Sequence, residues 1–214
     1  MVEKAKILEA VKTALEKAPK RQFSESIDIT INLKNIDMAQ PKNRIDETIL
    51  LPNGTGENIG ICVLGKGDIV TQAKDAKVDL IMGPEEIEKL GGQPREARRV
   101  AAKYRFFLAE TAVMPQVGRF LGPRLGPRGR MPMPIPGGQD IRPIVERLRN
   151  SVKIRTKDKT VFSTKVGSTA MKPEQVAENI EAIMKRIEAV LEQGPLNIRS
   201  IYVKTTMGPA VRLV

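Results

Sequence analysis

The stretch GRFLGPRLGPRGRMPMPIPGG, Gly118 to Gly138, holds six glycines, five prolines and four arginines without one acidic residue. Guanidinium groups pair with phosphate through two parallel hydrogen bonds, and glycine lets backbone N–H groups approach an anion closely. Arg119, Arg124, Arg128 and Arg130 are therefore candidates for contact with an anionic partner. A second stretch, VLGKGDIV at Val63 to Val70, has the look of a strand-to-helix glycine turn at a nucleotide site. Val70 stands where G-x-G-x-x-G needs its last glycine, however, and no G-x-x-x-x-G-K-[ST] occurs. It reads as a tight turn into a helix. The chain has no histidine, which removes the commonest general base and transition-metal ligand, and its single cysteine, Cys62, lies in the apolar run IGICVL. No catalytic site, metal or cofactor is expected.

The remaining composition asks for a binder. Thirty-six Lys and Arg against 25 Asp and Glu leave a formal charge of +11, which favours a polyanion through steering and counterion release. No apolar run is long enough for a membrane span, and residues 1 to 19 mix charged with apolar positions unlike a signal peptide, so a cytoplasmic protein is expected. Ile7, Leu8, Val11 and Leu15 fall at helical spacing before Pro19. SIDITINLK then alternates Ile27, Ile29, Ile31 and Leu33 with Asp28, Thr30, Asn32 and Lys34, the period of a strand with one wet face. Thr30, Asn32 and Lys34 share that face.

From Gly67 the texture changes to short helices (DIVTQAKDA, PEEIEKL, PREARRVAAK, IRPIVERLRN) alternating with short apolar runs (VDLIM, FFLAE, VKIRT). This is the pattern of a Rossmann-like α/β layer with a parallel sheet. After Lys157 the first texture returns, with TVFSTKVG as a strand, a long helix striped by Val176, Ile180, Ile183, Ile187 and Leu191, and two strands joined at TMGP. The expected architecture is a discontinuous α+β terminal domain, residues 1–66 plus 157–214, with an inserted α/β domain, 67–156. Two hinge strands, near Gly65 to Gly67 and Thr156 to Lys159, would allow the domains to rotate.

RQFSESIDITINLKNID, LPNGTG, GRFLGPRLGPRGRMPMPIP, FSTKVG and the terminal TTMGPAVRLV, in this order over essentially the whole chain, resemble the ribosomal protein L-one family of the large-subunit stalk, in its archaeal rather than bacterial branch. The resemblance implies a non-enzymatic protein, a monomer within the ribosome, whose terminal domain binds large-subunit rRNA. It further implies a mobile stalk beside the tRNA exit site, help in releasing E-site tRNA, and repression through the protein's own mRNA. Charge points elsewhere: residues 67 to 156 hold 17 basic and 10 acidic groups, the remainder 19 and 15. Specific RNA recognition rests more on shape and 2′-OH contacts than on net charge, so the terminal domain is preferred. The Gly118–Gly138 loop is then a semi-rigid structural segment with only secondary RNA or tRNA contact.

Within the terminal domain, Thr206 can bond a 2′-OH, Met207 can pack on a sugar, and Gly208 lets the backbone approach; a plain hairpin turn is the alternative. The resemblance carries Ser200 onto the same face and makes Glu25 an acceptor for a 2′-OH or a guanine edge, against the alternative of a solvated surface charge. Phe23 could stack on RNA or pack into the core. In FSTKVG the family often begins with His, where this chain has Ser163; Lys165 is then a phosphate partner and Gly167 a close-approach point. Two other classes stay open: a nucleotide-dependent or methyl-transferring enzyme on the α/β insertion, and a generic basic scaffold.

Overall fold

The computed structural model of the chain describes residues 4–19, 21–38, 40–156 and 159–214. In chain order these form α1 (Lys4–Glu16), β1 (Ser26–Leu33), a 3-10 turn (Pro41–Asn43), β2 (Asp46–Leu50), β3 (Ile61–Leu64), α2 (Asp68–Asp75), β4 (Leu80–Met82), α3 (Pro84–Gly91), α4 (Pro94–Lys103) and β5 (Phe106–Glu110). They continue with α5 (Met114–Phe120), α6 (Gly122–Leu125), β6 (Met133–Ile135), α7 (Arg142–Arg149), β7 (Ser151–Arg155), β8 (Val161–Ser168), α8 (Pro173–Val190), a second 3-10 turn (Gly194–Asn197), β9 (Ile198–Thr205) and β10 (Val211–Arg212). None of the described helices is long and apolar enough to cross a membrane.

The chain divides into two compact units, Met1–Glu57 with Asn150–Val214, and Asn58–Arg149. Both junctions fall earlier than the sequence-based boundaries at 66/67 and 156/157. The reason is strand pairing. β3, expected in the terminal domain, pairs in parallel with β4 and β5 and is an interior strand of the second unit's sheet. β7, expected in the insertion, pairs antiparallel with β2 of the first unit. An apolar run shows that a strand will be buried, but not against which sheet. Recounted on these units, the second holds 16 basic and 10 acidic residues and the first 20 and 15, so the charge excess that set the insertion apart nearly vanishes. Of the expected hinge at Thr156 to Lys159, residues 157 and 158 lie outside the described residues.

In the first unit an antiparallel sheet of order β10-β9-β1-β8 is accompanied by the two-stranded β2-β7. Ile27, Ile29, Ile31 and Leu33 of β1 point into one core with Val166 of β8, Ile201 and Val203 of β9, and the buried stripes of α1 and α8. Each buried aliphatic side chain contributes about 1.5 to 3 kcal/mol, so slipping β1 by one residue would expose the whole row at a cost of several kcal/mol. The opposite face is thereby fixed as the polar one. The LPNGTG loop is tied to α8 by the fully buried Asn179, whose Nδ2 donates to the carbonyls of Gly54 (2.7 Å) and Val166 (2.8 Å) while its Oδ1 accepts the Asn53 N–H.

The second unit is the expected parallel α/β layer, with strand order β4-β3-β5-β6. Its helices α2 to α7 pack with the sheet around two apolar clusters, one built on Phe107 and the other on Leu108. Gly118–Gly138, expected to be a loop, is instead regular over about half its length. It holds the end of α5, all of α6, a turn and the edge strand β6. Prolines sit in the first turn of both helices, where a missing N–H costs nothing, so a proline-rich composition is compatible with helix.

Candidate nucleic-acid interface

The polar face of the four-stranded sheet is organised in rows. Thr30 of β1 lies opposite Ser163 of β8 on one side and Tyr202 of β9 on the other, and Arg212 of β10 lies opposite Tyr202. The next row sets Asn32 between Val161 and Ser200, and a third sets Asp28 between Lys165 and Lys204. Side chains on these rows cross-link. Thr30 and Ser163 hydroxyls lie 2.9 Å apart, and Asn32 Nδ2 donates to Ser200 Oγ at 2.7 Å. Ser200 is buried at this contact and its own hydroxyl proton stays available for donation. Lys34, just past β1, is exposed. Tyr202, Lys204 and Arg212 on this face escaped the sequence reading, although Ser200, Tyr202 and Lys204 already stand at period two in IRSIYVKT.

Thr206, Met207 and Gly208 form the turn that follows β9. Thr206 donates its N–H (3.0 Å) and its Oγ1 proton (3.1 Å) to the Ser26 carbonyl, so this hydroxyl meets a partner as an acceptor through its lone pairs. Gly208 donates to Thr205 Oγ1 at 3.0 Å; a Cβ there would sit 2.3 Å from that oxygen and force it to move. Met207 is 58% exposed, as is Phe23. Of the two readings for Phe23, core packing is therefore corrected: nothing covers most of the ring.

Glu25 is not a solvated surface charge. It is 4% exposed, its Oε2 accepts the Met207 N–H at 3.2 Å, and its Oε1 lies 3.2 Å from Arg21 Nε without hydrogen-bond alignment. The polar groups that could meet a ligand at this end of the sheet are thus backed by an acid that faces the turn's backbone.

Two residues of FSTKVG stand differently from expectation. The register of β1 with β8 shifts between Ile27 and Asp28, so that Lys165 pairs with Asp28 while Gly167 pairs with the inward Ile27. This bulge breaks the alternation of faces. Gly167 turns toward α8, where a Cβ would meet Val176 Cγ2 at 3.0 Å, and its missing side chain serves packing rather than close approach to a ligand. Lys165 remains on the polar side, but its side chain is 15% exposed and its ammonium is ion-paired with Glu57 Oε1 at 2.5 Å. It is not a free phosphate partner.

The four arginines of Gly118–Gly138, in the second unit, differ among themselves. Arg119 lies over the Phe120 ring at 5.5 Å, Arg124 is half-buried on α6, and Arg128 is exposed. Arg130 turns inward and donates from Nη1 to the carbonyls of Ala101, Ala102 (2.9 Å) and Tyr104 (2.9 Å), capping the end of α4. Burial, with Arg105 and Arg128 nearby, lowers its pKa from the ordinary arginine range. A guanidinium spent on helix-terminal carbonyls is structural, which corrects its reading as a ligand contact. At the VLGKGDIV turn, Glu110 Oε2 accepts the Lys66 N–H at 3.1 Å, between the ends of β3 and β5 where the strand order reverses. That is where a doubly wound sheet would hold a phosphate. A carboxylate already stands there, and Cys62 on β3 is buried with its thiol pushed far above the ordinary range by desolvation. Neither group supports an enzyme.

Residues 14–209 match the model of the Ribosomal protein L1p/L10e family. A protein from Methanoregula boonei named large ribosomal subunit protein uL1 is 86% identical over 214 residues, covering 100% of both chains. Proteins of the same name from Methanoculleus marisnigri and Methanospirillum hungatei are 73% identical over 100% of both chains and 68% identical over 100% of this chain and 99% of the relative. The chain belongs to the Ribosomal protein L1p/L10e family.

Proposed function

Proceeding from that membership, we propose that the chain is a structural, non-enzymatic constituent of the large ribosomal subunit, working in the cytoplasm on the ribosome, and that its first unit binds large-subunit rRNA. The observation that carries this reading is the turn Thr206–Gly208, backed by Ser26 and Glu25 and presenting Met207 beside a sheet face of hydroxyl, amide and basic groups. Such a surface suits RNA. Hydroxyls and an amide address 2′-OH groups, exposed Met207 and Phe23 and half-buried Tyr202 offer packing surfaces for sugars and bases, and Lys34, Lys204 and Arg212 supply charge toward phosphates. Thr30, Asn32, Ser163 and Ser200 form the hydrogen-bonding part of the site.

The finer roles rest on the family resemblance: a mobile stalk beside the tRNA exit site, help in releasing E-site tRNA, and repression through a like fold in the protein's own mRNA. Arg119, Arg124 and Arg128 are then secondary contacts to rRNA or tRNA. The deciding measurement is affinity for a transcript of the stalk rRNA helix–loop region against a scrambled hairpin of equal length. A preference of about tenfold or more at fixed ionic strength is expected. Equal binding to both would leave only a basic scaffold.

A further inference from the structure

A carboxylate is an unexpected group to find at one end of the surface proposed for a polyanion, and its surroundings say what it does. The turn after β9 has three donors aimed backwards, away from solvent. Thr206 N–H and Thr206 Oγ1 go to the Ser26 carbonyl, and Met207 N–H goes to Glu25 Oε2. Segment 24–26 is in turn fastened to the loop after β8: Thr169 N–H donates to the Glu25 carbonyl at 2.9 Å, Glu25 N–H donates to Thr169 Oγ1 at 3.1 Å, and Ser24 Oγ lies 2.6 Å from Ser168 Oγ. Two stretches about 180 residues apart are joined at one point. With 4% of its surface exposed, the Glu25 side chain has little left to offer a ligand.

From this geometry we infer that Glu25 is a positioning residue for the RNA site proposed above: its carboxylate accepts the Met207 N–H and fixes the turn, so that Met207 and the Thr206 lone pairs are pre-set for the partner, and it does not itself touch RNA. The acid is tolerated beside a polyanion because it is covered and because Arg21 Nε stands 3.2 Å from its second oxygen. Pre-setting matters because ordering a mobile turn during binding would subtract from affinity. The inference rests on the RNA reading for its purpose, but the hold on the turn belongs to the free protein.

The test uses the full chain with Glu25→Gln and Glu25→Ala. Gln keeps the length and an acceptor oxygen for Met207 while losing the charge; Ala loses the acceptor. In the free protein, hydrogen exchange at the Met207 amide should quicken by about tenfold or more in Glu25→Ala and stay near the parent rate in Glu25→Gln, as loss of one buried hydrogen bond implies. Affinity for the stalk rRNA transcript should follow the same order, falling about tenfold in Glu25→Ala and less than about threefold in Glu25→Gln. A thermal melt separates this from unfolding, and if Glu25→Ala does not fold, Glu25→Gln alone decides. Should Glu25→Gln keep the Met207 protection and still lose affinity tenfold, the charge contacts RNA directly and the inference is wrong. Unchanged exchange in a folded Glu25→Ala would overturn it equally. Failure of the parent chain to prefer the transcript would remove the RNA reading, while the exchange result would still decide whether Glu25 holds the turn.

Discussion

The turn Thr206–Gly208 and the segment Gly118–Gly138 both use glycine, and each joins elements at the surface of its unit. They dispose of their polar groups in opposite ways. The turn sends its N–H groups and one hydroxyl proton inward to Ser26, Glu25 and Thr205, leaving Met207 bare and the Thr206 lone pairs outward. The arginine segment sends Arg130 inward onto the carbonyls at the end of α4 and leaves Arg119 and Arg124 on short helices and Arg128 in the turn after them. A pre-set surface with few charges discriminates between partners; a flexible array of charges attracts them all. Under the proposed function, counting arginines therefore points to the wrong half of the molecule.

The sharpest way to break this comparison is to separate the units. Residues 1–57 joined to 150–214 by a short linker should fold, since one core serves both pieces, and should hold the stalk rRNA transcript within about tenfold of the full chain. Residues 58–149 alone should bind weakly, with affinity falling steeply as salt rises, as contacts to phosphate alone do. Specific, salt-tolerant binding by 58–149 in a filter or anisotropy assay would reverse the assignment.

Next in size is Arg130→Ala, which strips three carbonyls of a charged donor. The expected loss is about 2 to 3 kcal/mol of stability in the second unit, read by denaturant melting, with rRNA affinity nearly unchanged. A large affinity loss in a well-folded variant would return Arg130 to the binding surface. Thr206→Val removes a hydroxyl at constant volume and should weaken rRNA binding by about 1 to 3 kcal/mol, part of it through the lost bond to Ser26. Circular dichroism must show the sheet intact for that value to count. The smallest effect belongs to Arg124→Ala, expected under ~1 kcal/mol because a half-exposed guanidinium gives a screened phosphate contact. If Arg124→Ala outweighs Thr206→Val on the same transcript and salt, charge was the better guide.

Much of the architecture was legible in the residues. Ile27, Ile29, Ile31 and Leu33 alternate with polar neighbours, and that period alone assigns β1 one buried and one wet face. The stripe of α8 and the βαβ texture after Gly67 likewise declare themselves, because helix and strand periods are local properties of the chain. Motif order pointed to the family.

What the residues left open is what depends on partners far away along the chain. Which sheet takes β3 and which takes β7 is a choice between two apolar surfaces, and only the assembled sheets distinguish them. Gly167 turned inward because of a bulge, and a bulge is a mismatch between two strands that neither strand contains by itself. Glu25 stood open between an acceptor for RNA and a solvated charge until the turn at Met207, 182 residues later, closed over it. Arg130 read as a phosphate ligand until the carbonyls of α4 claimed it. Local period is set by backbone geometry and is written in the sequence. Where a charged side chain finds its hydrogen bonds is settled by long-range packing, because a buried charge must be paired wherever the fold places a partner.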